Sequence, residues 1–436
     1  MSRGFLKFIA VFSAACACAF TLRAGEFELL DSLEKKGVIT ANEKSEIKKS
    51  SVGVVESTER SKRIRLLTFA HLRYQNISQD FGGFSDDRNF FAFRRIIPVL
   101  LADLTANSRA LVSLYMPSKT LLNTARYEVD LDTQYLDGTL WLGHEAVFFC
   151  MEEPMSGMKI MTPDRSIINM YFGGGDHGFD DGFVGEHSSV AAFSGYHTGA
   201  FWNGKLPNNK SVIYRLSVTN SKPEYITAPA CNSVAVWASL GWDEVQDADN
   251  SLQTGVNAGY SSRVVSAVDG RSFPSRVGAY GDCWGINPYF LWKYKRFTLH
   301  TEFVATAMQY GKSESSDYAL YTTNSRCAIP WGFYVLGAYK FDAGFIGDIE
   351  PVFRYLYLDT DGRGISENRV LYGANARSGL YSRVESFYGG FNWYVLGNSL
   401  KYAIGAEYAD FNSAVAGGSF KRDRVLSVIA QVQVVF

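Results

Sequence analysis

Beyond its first 25 residues the chain has no long apolar run. No stretch approaches the ~20 consecutive apolar residues that a transmembrane helix needs, so a membrane reading must go through strands closed into a barrel. Proline is scarce, 11 residues in 436 against 40 glycines, a balance that suits many strands joined by tight turns. Neither sign of charge dominates: the net charge is −1 and no basic cluster is interleaved with aromatics, so nucleic acid is not implied as a partner. Cysteine is sparse as well. Cys16 and Cys18 lie in the N-terminal leader, while Cys150, Cys231, Cys283 and Cys327 show neither C-x-x-C spacing nor a neighbouring histidine in a zinc-like pattern. One or two loop disulfides and four unrelated thiols are both open readings, and nothing calls for a metal or a cofactor. What the chain has in excess is aromatics, with 25 Tyr and 31 Phe.

The leader, MSRGFLKFIAVFSAACACAFTLRAG, has a basic head at Arg3 and Lys7, an apolar run from Phe8 to Phe20 and Ala24 before the cut. It reads as a Sec-type signal over residues 1–24; cleavage after Ala19, or a lipoprotein acylated at Cys16 or Cys18, are the other readings. Residues 25–62 hold the one helical passage. Leu29, Leu30 and Leu33 share a face, Gly37 ends a first helix, and Thr40 with Glu43 forms a capping box for a second, followed by a linker. Helices this short must dock on something.

From residue 63 to 436 the text keeps a period of two. Ile64, Leu66, Ala70, Leu72 and Tyr74 alternate with Arg65, His71 and Arg73; Val212, Tyr214, Leu216 and Val218 alternate with Ser211, Arg215 and Ser217. Leu400, Tyr402, Ile404 and Tyr408 oppose Lys401 and Glu407, and Tyr127, Val129 and Leu131 oppose Arg126, Glu128 and Asp130. A face with several charges cannot be the inside of a sandwich, whereas apolar-out and charged-in is the pattern of a barrel with lipid outside and water within. Short turns near 106–108, 137–138, 208–209, 246–250, 295–296, 342–347 and 397–398 alternate with longer connections at 78–88, 118–125, 147–188, 221–232, 266–276, 311–329, 360–383 and 412–424. The expectation is therefore an all-β transmembrane antiparallel barrel of about 16 strands, with short turns on the periplasmic side and long loops outside. Trp141, Trp202, Trp292, Tyr294, Trp331, Tyr334, Trp393 and Tyr394 near strand ends suit the lipid–water boundary. The last strand, VLSVIAQVQVVF, ends on Phe436, which reads as the signal recognised by the outer-membrane assembly machinery.

Three passages carry a family resemblance. LLDSLEKKGVITANEKSEI resembles the periplasmic helical segment of the phosphate-selective porins, FFAFRRIIPVLLADL (90–104) is similar to their second strand, and LWLGHEAVFFCMEEPMSG with MTPDRSIINMYF resembles their strand and third loop. The resemblance implies a sixteen-stranded homotrimeric channel in a Gram-negative outer membrane, with loop 147–188 folded into the lumen as a constriction. It also implies a path lined by cations for small hydrophilic solutes or ions, phosphate and other anions among them. The loop reads otherwise: Glu152, Glu153, Asp164, Asp176, Asp180, Asp181 and Glu186 stand against Lys159 and Arg165.

Basic residues on the inward rows are Arg65, Arg73, Arg126, Arg215, Lys293 and Lys401, with His71, His197 and His300 and the acids Glu128, Glu302, Glu350 and Glu407. Either they line the pore or they pair with the acids and stiffen the wall; the mixture predicts weak selectivity. Strand alternation lets only one of Arg94 and Arg95 point inward. Three rival functions stand beside the porin; one of them, specific sugar uptake, shares the barrel and would be marked by aromatic side chains strung along the lumen. A barrel enzyme would need a positioned nucleophile and base, and His177, His187 and His197, spaced by ten, do not match ligand spacing on one strand or helix. GGGD (173–176) and GKS (311–313) lack a phosphate-loop context. A secreted β-rich adhesin or lectin would share the alternation but not the loop asymmetry.

Overall fold

The computed structural model describes residues 64–81, 84–116, 122–133, 137–173, 191, 193–220, 234–245, 249–263, 281–309, 327–362, 364–375, 380–415 and 422–436. The signal and helical segment (1–62), Asp176, Asp180, Asp181, Glu186, His177, His187 and Cys231 lie outside the described residues.

Because side chains alternate across a strand, each amphipathic run can bury one row and expose the other only within a sheet that has two distinct sides. The chain solves this by closing the sheet on itself. The strands are β1 (Ile64–Phe81), β2 (Phe84–Thr105), β3 (Ser108–Leu114), β4 (Leu122–Asp132), β5 (Asp137–Ala146), β6 (Tyr196–Leu206), β7 (Asn209–Asn220), β8 (Val234–Val245), β9 (Asn250–Arg263), β10 (Gly281–Tyr294) and β11 (Phe297–Gln309). They continue with β12 (Cys327–Ala328), β13 (Trp331–Tyr339), β14 (Phe341–Asp342), β15 (Asp348–Asp359), β16 (Leu380–Tyr394), β17 (Leu400–Val415) and β18 (Arg422–Val435). β12, β13 and β14 are pieces of one strand, since β12 and β13 both pair with β11 while β13 and β14 both pair with β15, so the barrel has 16 strands. Every pairing is antiparallel between sequence neighbours, and β18 closes on β1. Among the described residues no helix is long and apolar enough to cross a membrane.

The outward row is apolar and exposed: Leu66, Leu72, Phe91, Phe93, Leu216, Val218, Leu240, Phe353 and Phe387 all lie on it. Phe436 belongs to this row, 60% exposed, with its backbone N–H donating to the Thr68 carbonyl at 2.9 Å. Along the closing seam the inward row is a ladder of polar side chains. His71 Nε2 meets Gln433 Oε1 at 2.9 Å, Arg73 donates to Gln431 at 2.8 Å, Gln75 to Ser427 at 2.8 Å and Gln79 to Asp423 at 2.7 Å. A slip of one residue would turn this whole row outward, so the ladder fixes the closing register.

Four expectations change. The long connection at 78–88 is not a loop, because β1 and β2 pair out to Phe81 and Phe84; the outward row merely turns polar there (Asn76, Ser78, Asp80, Asp87), which breaks the alternation but not the ladder. Of the eight ring residues at strand ends, Trp141, Tyr334 and Tyr394 face inward, since each falls on the row of its buried neighbours. The interior is not charged throughout: Trp237, Val304, Leu336, Leu356, Val384 and Phe411 form an apolar inner wall from β8 to β17, covered by loop residues such as Phe149, Ile168 and Phe172. Finally, Arg94 and Arg95 both point inward. His71 pairs with Arg95 and Leu72 with Phe93, so Arg94 is the extra residue of a β-bulge.

If the exposed band faces lipid, Leu216→Arg at mid-strand will cost about 2–4 kcal/mol in a urea titration of protein folded in vesicles. A change within about 0.5 kcal/mol, as expected of a water-exposed site, would contradict that reading.

Candidate functional site: the inward loop and the gap beside it

β5 ends at Ala146, and the chain then turns into the barrel. Cys150, with φ of 63°, takes the left-handed conformation that non-glycine residues seldom adopt, and the Glu153 N–H donates back to its carbonyl at 2.9 Å. Arg165 staples the returning chain to the outgoing one by donating to the carbonyls of Glu152 at 2.9 Å, Glu153 at 3.2 Å and Met155 at 3.1 Å. The short helix α1 (Ile167–Gly173), all of it buried, follows. Glu152 accepts from the Ser166 N–H at 2.6 Å, where a helix start leaves backbone donors free, and Glu153 accepts from Asn169 Nδ2 at 2.6 Å.

The wall grips this loop on several sides. Lys401 Nζ donates to the carbonyl of Ile160 at 3.0 Å, Asn392 to that of Met161 at 2.8 Å, and Arg354 to Thr162 Oγ1 at 3.1 Å. Arg354 also pairs with Glu407 at 3.1 Å and lies 3.8 Å from Glu152. On the facing side Met151 N–H donates to Glu302 at 2.6 Å and Cys150 N–H to Asn287 at 3.0 Å. The central contact is Asp164. Its Oδ2 accepts from Arg73 Nη1 at 2.7 Å, and its Oδ1 accepts from Arg73 Nη2 at 3.0 Å and from Arg94 Nε at 3.1 Å. Arg94 can reach it only because the bulge turns that residue inward, and its Nη1 donates to Tyr115 Oη at 2.9 Å. Burial works to raise the Asp164 carboxyl, but Arg73 and then Arg94 outweigh it and hold the group below the usual carboxylate range.

Among the described residues the loop covers the apolar wall from β8 to β17, and its other edge faces β1–β5. A cavity of about 200 Å³ runs there between Pro154, Met155, Ser156 and Gly157 on the loop and Arg95, Ser113, Thr124, Arg126 and Glu145 on the wall. Three guanidinium groups, those of Arg95, Arg126 and Arg165, line it against the one carboxylate of Glu145. Arg126 is bound to Glu145 and, at 2.6 Å, to Glu128, and it stacks 4.0 Å from the centroid of Trp141.

The inward basic residues therefore occupy different stations. Arg73 and Lys401 face the lumen but are buried beneath the loop. Arg126 lines the gap, and Arg215 is half-buried on β7, stacked over Phe148 at 4.1 Å. Arg65, paired with Asp103 at 3.2 Å, and Lys293, 3.7 Å from Asp249, sit near the short-turn end. Glu152, Glu153 and Asp164 turn into the wall and the loop's own backbone, leaving Lys159 as the exposed charge on the described part of the loop. Sequence reasoning admitted only one of Arg94 and Arg95 to the lumen, since nothing in a linear pattern signals the bulge, and it missed Arg354. Cys150, Cys283 and Cys327 are free thiols, and among the described residues no group of ligand-type side chains could hold a metal.

A second loop segment, between β15 and β16, also enters the barrel. Its short helix α2 (Glu367–Val370) places the fully buried Glu367 beside Asp423 of β18 and Tyr381. Burial, and then the hydrogen bond with Asp423, push the Glu367 carboxyl up from 4.5 to about 9. The docked segment thus holds a proton that the free segment releases, so docking is strongest below pH 4.5 and weakens as the pH rises towards about 9.

Two outcomes follow from these contacts. Asp164→Asn leaves Arg73 and Arg94 without their anion, and should cost about 3–5 kcal/mol of loop anchoring. The change will show as new protease cleavage within 147–173, whereas an unchanged digest would contradict the anchor. Hydrogen exchange over residues 364–375 should quicken between pH 5 and 9 in the wild type and lose that dependence in Glu367→Gln.

No family model matches the chain, and no curated protein sequence matches it. Solved structures do match, each over most of both chains. The anion-selective porin from Comamonas acidovorans aligns at a TM-score of 0.52 and 11% identity over 86% of this chain and 99% of its own. OprB of Pseudomonas putida aligns at 0.53 and 9% over 85% and 93%, and Salmonella typhi OmpF in complex with daunomycin at 0.52 and 10% over 87% and 100%. At such identities the likeness is one of fold, and the fold is the sixteen-stranded porin barrel.

Proposed function

We propose that the protein is a passive diffusion channel in the outer membrane of a Gram-negative bacterium, passing small hydrophilic solutes and ions. The observation that carries this reading is a closed barrel with an apolar outer row, an inward loop and a cavity between that loop and β1–β5. The porin barrels among its structural neighbours support it. A soluble adhesin would not expose such a band to water, and no specific observation favours an enzyme.

Within that reading the channel prefers anions. An ion passing the gap sheds water and needs fixed charge in exchange, and Arg95, Arg126 and Arg165 outnumber Glu145 there. This departs from the weak selectivity that the loop's sequence suggests, because the described acids of the loop are bound to the wall and to the loop itself. Phosphate is one anion the gap would admit, in keeping with the family resemblance. Export by residues 1–24, folding by the assembly machinery through Phe436, a lipid-facing outer row and a homotrimer complete the proposal.

Refolded protein in a planar bilayer tests it. Stepwise conductance with a reversal potential of anionic sign under a potassium chloride gradient is expected. Arg95→Ala should lower the anion-to-cation permeability ratio by about four-fold, since one unit charge ~10 Å away in water shifts anion and cation by about two-fold each in opposite directions. The absence of steps from folded protein would contradict the channel, and a cationic reversal potential would contradict the selectivity.

A further inference from the structure

The segment between β15 and β16 lies unusually close against β1 and β2. Ile365 pairs with Tyr381 by two backbone hydrogen bonds of 2.9 Å, α2 follows, and Gly373 then takes a φ of 81°. A Cβ at that glycine would stand 2.6 Å from the Phe90 ring and 2.8 Å from Ile77 Cδ1, so only a residue without a side chain lets the backbone approach the wall so closely. The wall then grips the segment along its backbone. Gln75 Nε2 donates to the Tyr372 carbonyl at 2.8 Å and Arg88 Nη2 to that of Gly373 at 2.6 Å, while the Asn375 N–H donates to Gln79 Oε1 at 3.2 Å.

This docking sets the half-buried Tyr372 ring against the two arginines that receive Asp164 from the other loop. The guanidinium carbon of Arg94 lies over the ring, 4.6 Å from its centroid, and that of Arg73 lies 5.4 Å away. An arginine bonds through its N–H groups and can pack on an aromatic face at the same time, so the ring does not compete with the carboxylate. Arg73 keeps its N–H groups for Asp164 and Gln431, and Arg94 keeps its own for Asp164 and Tyr115, while the ring limits where either cation can swing. Phe90, with its centroid 6.0 Å from that of Tyr372, backs the ring edge-on. The two inward segments also meet through apolar residues: α1 contacts α2, and Ile365, Val370 and Leu371 share a buried cluster with Ile167, Ile168 and Met170.

We infer that Tyr372 is a positioning residue for the inward loop: it holds Arg73 and Arg94 in the conformation that receives Asp164, so that residues 364–375 and 147–173 dock as a coupled pair. The contacts run from the Tyr372 ring to Arg94, from Arg94 to Asp164, and from the adjoining Arg165 to the carbonyl of Met155, which borders the gap. Whichever segment docks first orders the two arginines, and the second then docks without that cost. Such a coupling acts equally in both directions. Resting on the channel reading, the second segment thereby controls the edge of the gap, although it supplies none of the residues that line it.

Hydrogen exchange of the full chain folded in detergent micelles tests the coupling. Tyr372→Ala should speed exchange over 364–375 and also, by about 10-fold, over 147–173, the scale of one cation–π contact between partly desolvated groups. Tyr372→Phe keeps the ring and should stay within about two-fold of the wild type in both segments. In the reverse direction Asp164→Asn should speed exchange over 364–375, a reading that stands even if Tyr372→Ala does not fold. Loosening confined to 364–375 in Tyr372→Ala, a phenylalanine variant as loose as the alanine one, or unchanged exchange over 364–375 in Asp164→Asn would each overturn the inference. In single channels Tyr372→Ala should change the anion-to-cation permeability ratio while Tyr372→Phe leaves it as in the wild type; an unchanged ratio in the alanine variant would overturn the control of the gap. Exchange needs only folded protein, so a wild type without conductance steps would refute the channel reading while the coupling is still decided.

Discussion

Two guanidinium groups buried in the wall of a barrel need an anion brought to them, and here a loop brings it. Asp164 sits between Arg73 and Arg94, while Gln431, Gln75 and the Pro163 carbonyl take the remaining donors of Arg73. A pair so completely bonded gains little over an apolar substitute, but it is costly to break, because whatever remains is a charge in a dry place. The position of the loop is therefore tied to the bulge that points Arg94 inward. With the loop fixed there, Phe149, Ile168 and Phe172 cover the apolar inner wall from β8 to β17, and a cavity borders the loop on the side of β1–β5.

The same arrangement sorts the interior into two surfaces of different chemistry. One is apolar and covered by the loop. The other is the gap, where arginines outnumber acids. Each is built from inward side chains of neighbouring strands, so each depends on register. Where the sheet closes, the ladder from His71–Gln433 to Gln79–Asp423 holds that register.

The barrel was legible in the sequence because a period of two with unlike faces is a local signal, as at Val212–Val218 against Ser211–Ser217. Most of the short turns, Lys295-Arg296 among them, were legible for the same reason. The site was less so. Arg94 and Arg95 read as opposed neighbours because a bulge depends on the partner strand and leaves no mark in the run RR itself. Glu152, Glu153 and Asp164 read as a free acidic surface because their partners, Arg354, Asn169, Arg73 and Arg94, are distant in sequence or set by the fold of the loop. The apolar inner wall was hidden because β13 and β15 carry apolar residues on both rows, and only the loop's own apolar side chains explain the inward one.

The central claim is that the loop is fixed across the barrel with one edge on the gap and the other in the apolar wall. Substituted-cysteine accessibility tests it most directly, comparing Ser156→Cys with Ile168→Cys in single channels lacking the native cysteines. A charged methanethiosulfonate reagent should change the current through Ser156→Cys within seconds and leave Ile168→Cys unmodified, since Ser156 lines the gap and Ile168 is fully buried. Equal modification of both positions, or of Ile168→Cys alone, would contradict the account.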